Sequence, residues 1–322
     1  MFVPVLLFVL GFVLLIKGGD WFVDGASAVA HRFHIPELLI GATVVSIGTT
    51  LPEVMVSATS ALEGHGEIAY GNAIGSIICN TSLIAAITIA VRPSVVNRKT
   101  LVLPLSFFYV SAAFYSAVAY TTGLFSRTVG VVLVLMFLAY MTISVFQARK
   151  EMKPADAASE EQTTSSSLAI DLLKLVAGAA LIAVGARLLV DNGTLIAQAL
   201  GIPESVIALT FVALGTSLPE LVTAITALVK GHGALSLGNI IGANMFNLVL
   251  VSGVSTVLSP FSIPQNTLSN GVNTSLAVDI PVMLFVMSFM VLPALVRQKL
   301  SRVQGILLLV VYAGYCVFQF AM

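Results

Sequence analysis

The stretch SIGTTLPEVM, residues 46–55, decides how the chain is read. It lies inside a long apolar run, yet it sets Pro52, a helix breaker, directly before the ionisable Glu53. The same violation returns as ALGTSLPELV at residues 213–222. An ionisable group in a hydrocarbon-compatible segment is costly and marks function by default. Finding it twice, each time behind a proline, demands a reason.

The surroundings of both stretches are lipid-like. The 322 residues are 58% hydrophobic and 9% charged, with a mean hydropathy of +1.03. Soluble domains run at roughly 45–50% apolar and about 25% charged. The 15 basic and 15 acidic residues cancel, so net charge points to no acidic partner, and no nucleic acid is expected to bind. Cys79 and Cys316 fall in distant apolar segments and read as buried thiols, not as a disulfide framework. The opening MFVPVLLFVLGFVLLI has no basic leader and no clean cleavage site, so it reads as a retained first span.

Windows of about 20 apolar residues fall near 3–29, 37–61, 68–91, 100–120, 128–147, 168–191, 204–229, 235–258, 276–296 and 303–321. The predicted fold is therefore an all-α polytopic membrane protein of ten transmembrane helices. Helices 2 and 7 hold the Pro-Glu pairs and are expected to be interrupted, each as a pair of half-helices. The loops after spans one, three, five, seven and nine carry eleven Lys and Arg residues, and the other four loops carry only Arg127. That bias places the first set in the cytoplasm and both termini outside. Residues 148–167, polar and Ser/Thr-rich, read as a flexible cytoplasmic linker.

Sliding the chain on itself by 167 residues aligns IPELLIGATVVSIGTTLPE (35–53) with IPESVIALTFVALGTSLPE (202–220). The alignment runs on without a gap to pair GHGEIAYGNAIGSIICN (64–80) with GHGALSLGNIIGANMFN (231–247). Over residues 35–80 and 202–247, 20 of 46 positions are identical. The chain thus divides into a first repeat, 1–147, the linker, and a second repeat, 168–322. The second and seventh spans are an odd number of crossings apart, so the copies enter the membrane from opposite sides. Inverted repeats with interrupted helices are the pattern of secondary transporters, whose site lies near the midplane.

Each motif offers oxygen. Pro52 has no N–H, so the Gly48 carbonyl loses its helical donor, and Pro219 does the same to Gly215. Thr49 and Glu53 share a helical face with Ser46; the second copy offers Thr216, Glu220 and, in place of the serine, Ala213. Two facing carboxylates repel unless a proton or a cation lies between them. Together with hydroxyls and freed carbonyls they approach the six to eight hard oxygens that Ca²⁺ takes. Zn²⁺ would ask for His or Cys. The next spans add Asn72, Ser76 and Asn80 on one face, and Asn239, Ala243 and Asn247 in the second copy. Interhelical hydrogen bonding is the plainer role for such amides and hydroxyls, as back-bonding to the helix is for the threonines. His65 and His232 of the GHG motifs read as turn residues. Asp20, Asp24, Arg187 and Asp191 read as helix caps, or as partners of Lys17 and other charges.

On these motifs, GTTLPE with GNAIGSIICN and GTSLPE with GNIIGANMFN, the chain resembles the calcium/cation antiporter superfamily, most closely its prokaryotic sodium/calcium exchanger branch. The resemblance implies that Glu53 and Glu220 hold Ca²⁺ with Thr49 and Thr216. It implies flanking Na⁺ sites from Thr50, Ser76, Ser217 and the carbonyls of Ser46 and Ala213, with Asn80 and Asn247 beside the centre. Position 247 is Asn where potassium-dependent relatives carry Asp, and position 243 is Ala where many carry Ser. The implied activity is electrogenic, K⁺-independent Na⁺/Ca²⁺ antiport by alternating access, in the cell membrane, by a monomer without a cofactor. Family members exchange three Na⁺ for one Ca²⁺. Ca²⁺/H⁺ exchange on the same glutamates is the alternative. An intramembrane enzyme is not expected, since no HExxH motif occurs and no histidine neighbours the glutamates in sequence.

Overall fold

The computed structural model describes residues 2–151, 167–200, 215–265 and 271–321. Their apolar runs form ten helices: α1 (Phe2–Arg32), α2 (Glu37–Leu62), α3 (Gly66–Val91), α4 (Arg98–Thr121), α5 (Arg127–Glu151), α6 (Leu168–Ala199), α7 (Leu218–Lys230), α8 (Gly233–Leu258), α9 (Ser275–Arg297) and α10 (Arg302–Ala321). All but α7 are long and apolar enough to cross a bilayer. The expected seventh span begins at 204, and its first part, Ala213 included, lies outside the described residues, as does most of the linker. Among the candidate spans α3 and α8 are the most enclosed. They form the centre of a large apolar core with α4 and α9, through residues such as Ile77, Phe108, Phe246 and Met287.

The ends of the helices sort the loops. Two short strands, β1 (Leu124–Phe125) and β2 (Phe261–Ser262), pair antiparallel, joining the loops after α4 and α8. Phe261 also packs on Gly66, after α2. At the opposite end the Val96 N–H donates to the Gln298 carbonyl at 3.0 Å and the Leu300 N–H to Ser94 at 2.9 Å, joining the loops after α3 and α9. There too Arg92 reaches the Leu228 carbonyl of α7 at 3.3 Å, and His232, after α7, lies 2.7 Å from Glu37, after α1. This is the alternation that ten crossings require.

A smaller apolar cluster holds α1 and α6 together, with Leu15, Phe22, Ile182 and Leu189 at its heart. The two helices run antiparallel along a row of glycine notches. A Cβ on Gly11 would stand 2.9 Å from the Gly185 carbonyl, and one on Gly18 would stand 2.9 Å from that of Gly178. Gly25 meets the backbone of Asp171 and Leu175 in the same way. Small residues let backbones approach this closely in lipid, where packing replaces the hydrophobic drive. Arg32 pairs with the buried Asp171 at 3.1 Å and closes one end of the pair.

The interruption expected in helix 2 is built differently from a pair of half-helices. α2 remains helical throughout and passes through Pro52, but Gly41–Val45 form a π turn ahead of it. Such turns are rare and cluster at functional sites. In lipid every carbonyl must be met, and here hydroxyls do it: Ser46 donates to Gly41 at 2.7 Å and Tyr140 to Ala42 at 2.8 Å. Helix 7 does break. α7 starts at Leu218 with Pro219 in its first turn, after the turn residues 215–217. The Gly215 carbonyl, expected to be free, receives the Leu218 N–H at 3.4 Å.

Gly178→Val will push a side chain into the backbone of Gly18 and Phe22 and cost about 1–3 kcal/mol. Thermal unfolding in detergent should drop for this variant and stay unchanged for Gly314→Val, where the added Cβ has nothing within 4 Å.

Candidate ion-binding site

Glu53 and Glu220 come from opposite repeats and meet. α2 and α7 pack against each other at the middle of the bundle, and both acids are 0% exposed. They are near enough that the charge of Glu220 acts on Glu53. No described ion pair includes either acid. Both oxygens of each carboxylate lack a hydrogen-bond partner among the described residues. Glu220 lies in the first turn of α7. The hydroxyls of Thr49 and Thr50 neighbour it from α2 without completing a well-formed hydrogen bond.

The remaining candidates assemble around this pair. Asn80 and Asn247 each open a π turn, Asn80–Ala85 in α3 and Asn247–Val251 in α8, at equivalent places in the two repeats. The turn at Asn247 packs on α2, the helix of Glu53, and the turn at Asn80 packs on α7, the helix of Glu220. Both amides are 0% exposed and their nitrogen and oxygen atoms are without partners among the described residues. Thr50 and Ser217 are buried with unpartnered hydroxyls, and Ser217 lies beside Cys79. Ser76 is buried on α3 one turn before Asn80. The Ser46 hydroxyl is committed elsewhere, to the carbonyls of Gly41 and, at 2.9 Å, of Asn239, which leaves its own carbonyl as the group it can offer. Ala213 lies outside the described residues.

Thr49 and Thr216 are held across the repeats. Thr49 donates to Asn239 Oδ1 at 3.1 Å, and Thr216 donates to Asn72 Oδ1 at 3.2 Å. Asn72 in turn donates to the Glu53 carbonyl at 3.2 Å and to Ser57 Oγ at 2.8 Å. The sequence displayed both asparagines in its repeated Gly-Asn pair, but not which threonine each would meet. The α1/α6 pair closes this group from one side: Phe22 and Ala179 lie against Gly48, and a narrow crevice runs on past Thr49, Pro52 and Pro219.

The charged residues near span ends also find partners that the sequence did not name. Lys230, at the end of α7, reaches Asp24 at 2.7 Å and Asp20 at 3.3 Å on α1. Arg187 and Asp191 form an exposed pair on α6 at 3.6 Å. His232 keeps its turn position before α8 and adds the contact to Glu37.

Residues 3–146 and 171–321 match the family described as "Sodium/calcium exchanger protein". The chain belongs to the sodium/calcium exchanger family. That family is one of transporters, not of enzymes. The inner membrane protein YrbG of Escherichia coli K12 is 36% identical over 279 residues, which cover 85% of this chain and 86% of that protein. The sodium/calcium exchanger MaX1 of Methanosarcina acetivorans is 28% identical, with 98% of both chains covered. The solved structure of the sodium-calcium exchanger NCX_Mj, soaked with Na⁺ and Sr²⁺, superposes with a TM-score of 0.81 at 32% identity and 97% coverage of both chains. The polytopic, all-helical exchanger fold is thus common to this member and NCX_Mj.

A ligand that binds only the folded state at 100 times its Kd adds about 2.7 kcal/mol of stability. Calcium should therefore raise the unfolding temperature of the wild-type protein in detergent. The Glu53→Gln/Glu220→Gln variant should lose that shift, yet unfold no earlier than the wild type in ion-free buffer, because it no longer encloses two like charges.

Proposed function

We propose that this family member is a secondary active antiporter that exchanges Na⁺ for Ca²⁺ across the cell membrane by alternating access. The observation that carries the reading is the buried Glu53–Glu220 pair, without a base or a hydrogen bond among the described residues. A carboxylate in mid-bilayer costs about 3 kcal/mol or more, and two costs are offset at once by a divalent cation. Ca²⁺ between two carboxylates leaves the site neutral, with Thr49, Thr216 and backbone oxygens completing its shell. Three Na⁺ leave one net positive charge, so the cycle moves charge. Thr50, Ser217, Ser76, Asn80, Asn247 and the carbonyls of Ser46 and Ala213 serve the sodium ions. Asn247, neutral, keeps the central charge at two carboxylates and gives K⁺ no third acid to pair with. No cofactor enters the cycle, and the protein works as a monomer.

Movement follows from the two packing units. The α1/α6 pair is bound to itself by backbone contact and to the rest by a few side chains. It slides across the other eight helices and opens the site to one side at a time. Lysine and arginine place the loops after α1, α3, α7 and α9 and the linker in the cytoplasm, and both termini outside.

The test is calcium flux in proteoliposomes under separately imposed Na⁺, K⁺ and H⁺ gradients. An opposing Na⁺ gradient should drive uptake and generate a potential, K⁺ should have no effect, and Glu53→Gln or Glu220→Gln should abolish transport. Uptake driven by H⁺ and indifferent to Na⁺ would replace this reading with Ca²⁺/H⁺ exchange on the same acids.

Sliding has its own test. A Cβ on Gly19 of α1 lies 3.7 Å from the Thr226 Cβ of α7, inside the disulfide range of about 3.5–4.5 Å. Oxidising Gly19→Cys/Thr226→Cys should stop exchange, and reduction should restore it; full activity of the cross-linked protein would rule the sliding motion out.

A further inference from the structure

A hydroxyl can ligate a cation only through its lone pairs, so its single proton must point elsewhere. In a membrane helix the usual destination is the carbonyl one turn back, and several threonines here follow that rule. Thr43 donates to Leu39 at 2.7 Å, Thr121 to Ala117 at 2.6 Å and Thr142 to Leu138 at 2.7 Å. The two threonines beside the glutamate pair depart from it. Thr49 stands 3.5 Å from the Ser46 carbonyl of its own helix but 3.1 Å from Asn239 Oδ1, in the other repeat. Thr216 precedes α7 and donates to Asn72 Oδ1, again in the other repeat.

The orientation of the Asn72 amide is fixed by its surroundings. Its nitrogen faces the Glu53 carbonyl, which can only accept, so the oxygen is the atom turned to Thr216. The repeat relation places Asn239 in the same role toward Thr49. We propose that Asn72 and Asn239 are positioning residues for ion binding: each takes the hydroxyl proton of the facing threonine in the opposite repeat and so turns that threonine's lone pairs toward the ion. Because the contacts cross, each repeat prepares a ligand that the other delivers. Asn72 couples this to the acid pair, since it also holds the backbone of Glu53.

This inference rests on the reading of Thr49 and Thr216 as calcium ligands, and a double-mutant cycle separates the two. The readout is the calcium concentration for half-maximal uptake into proteoliposomes under an imposed Na⁺ gradient. Asn239 is the cleaner member, since its Nδ2 has no partner among the described residues. Thr49→Val and Asn239→Leu should each raise that concentration by roughly 10- to 100-fold, the usual effect of losing a ligand's supporting partner. The double variant should match Thr49→Val alone, because the asparagine acts only through the hydroxyl. Effects that multiply would overturn the proposal and leave Asn239 a packing residue. Wild-type calcium dependence in Thr49→Val would also overturn it while leaving the exchange reading intact. Failure of the wild-type protein to take up calcium would remove both. Asn239→Ala repeats the cycle with a smaller side chain and decides the matter if Asn239→Leu does not fold.

Discussion

Two fully buried carboxylic acids with no basic partner among the described residues can be neutralised only by something that arrives and leaves. Among the described residues, no basic side chain pairs with Glu53 or Glu220. Of the bases in the described ion pairs, Lys230, Arg32 and His232 meet other acids near helix ends, and Arg187 meets Asp191 on the exposed face of α6. Had one of them reached the centre, the acids would form a stable internal pair, and breaking it would be strongly unfavourable. In the proposed exchange cycle, a centre free of bases stays available to ions.

Neutral groups then supply what bases do not. Hydroxyls and amides carry oxygen without fixing charge, and the helices are bent out of regularity where those groups are needed. The π turns that begin at Asn80 and Asn247 and the one before Ser46 alter the pitch of α2, α3 and α8 close to the acids. Their carbonyls are not left bare: Ser46 and Ser252 bond back to the first carbonyl of their respective turns at 2.7 and 3.0 Å. The distortion is local and the helices on either side stay regular, which is how a rigid bundle can hold an irregular site.

Much of this was legible in the residues. The repeat, its inversion, the number of crossings and the central acids follow from chemistry that conflicts with lipid, and a conflict stands out in a sequence. What escaped is what depends on a partner from elsewhere in the chain. Pro52 read as a gap because proline removes a donor, but α2 stays helical through it, and its irregular turn lies earlier, at Gly41–Val45, where Ser46 and Tyr140 meet the carbonyls of Gly41 and Ala42. Pro219 read as freeing Gly215, but the turn before α7 occupies that carbonyl. Lys230 counted only as one of the eleven loop bases, more than two hundred residues from the aspartates it meets. Gly11, Gly18 and Gly25 recur every seventh position in plain view, yet the spacing gains meaning only once α6 is known to lie against it.

That glycine row limits how the chain can vary. Because α1 and α6 interlock backbone to backbone at several levels, inserting or deleting a single residue in either helix would swing every later notch about a third of a turn away from its mate. No side chain could repack to absorb the error, for there is none at those points. Length changes are therefore excluded from these two helices, whose surfaces otherwise ask only for greasy residues and whose residue count is held by backbone contact.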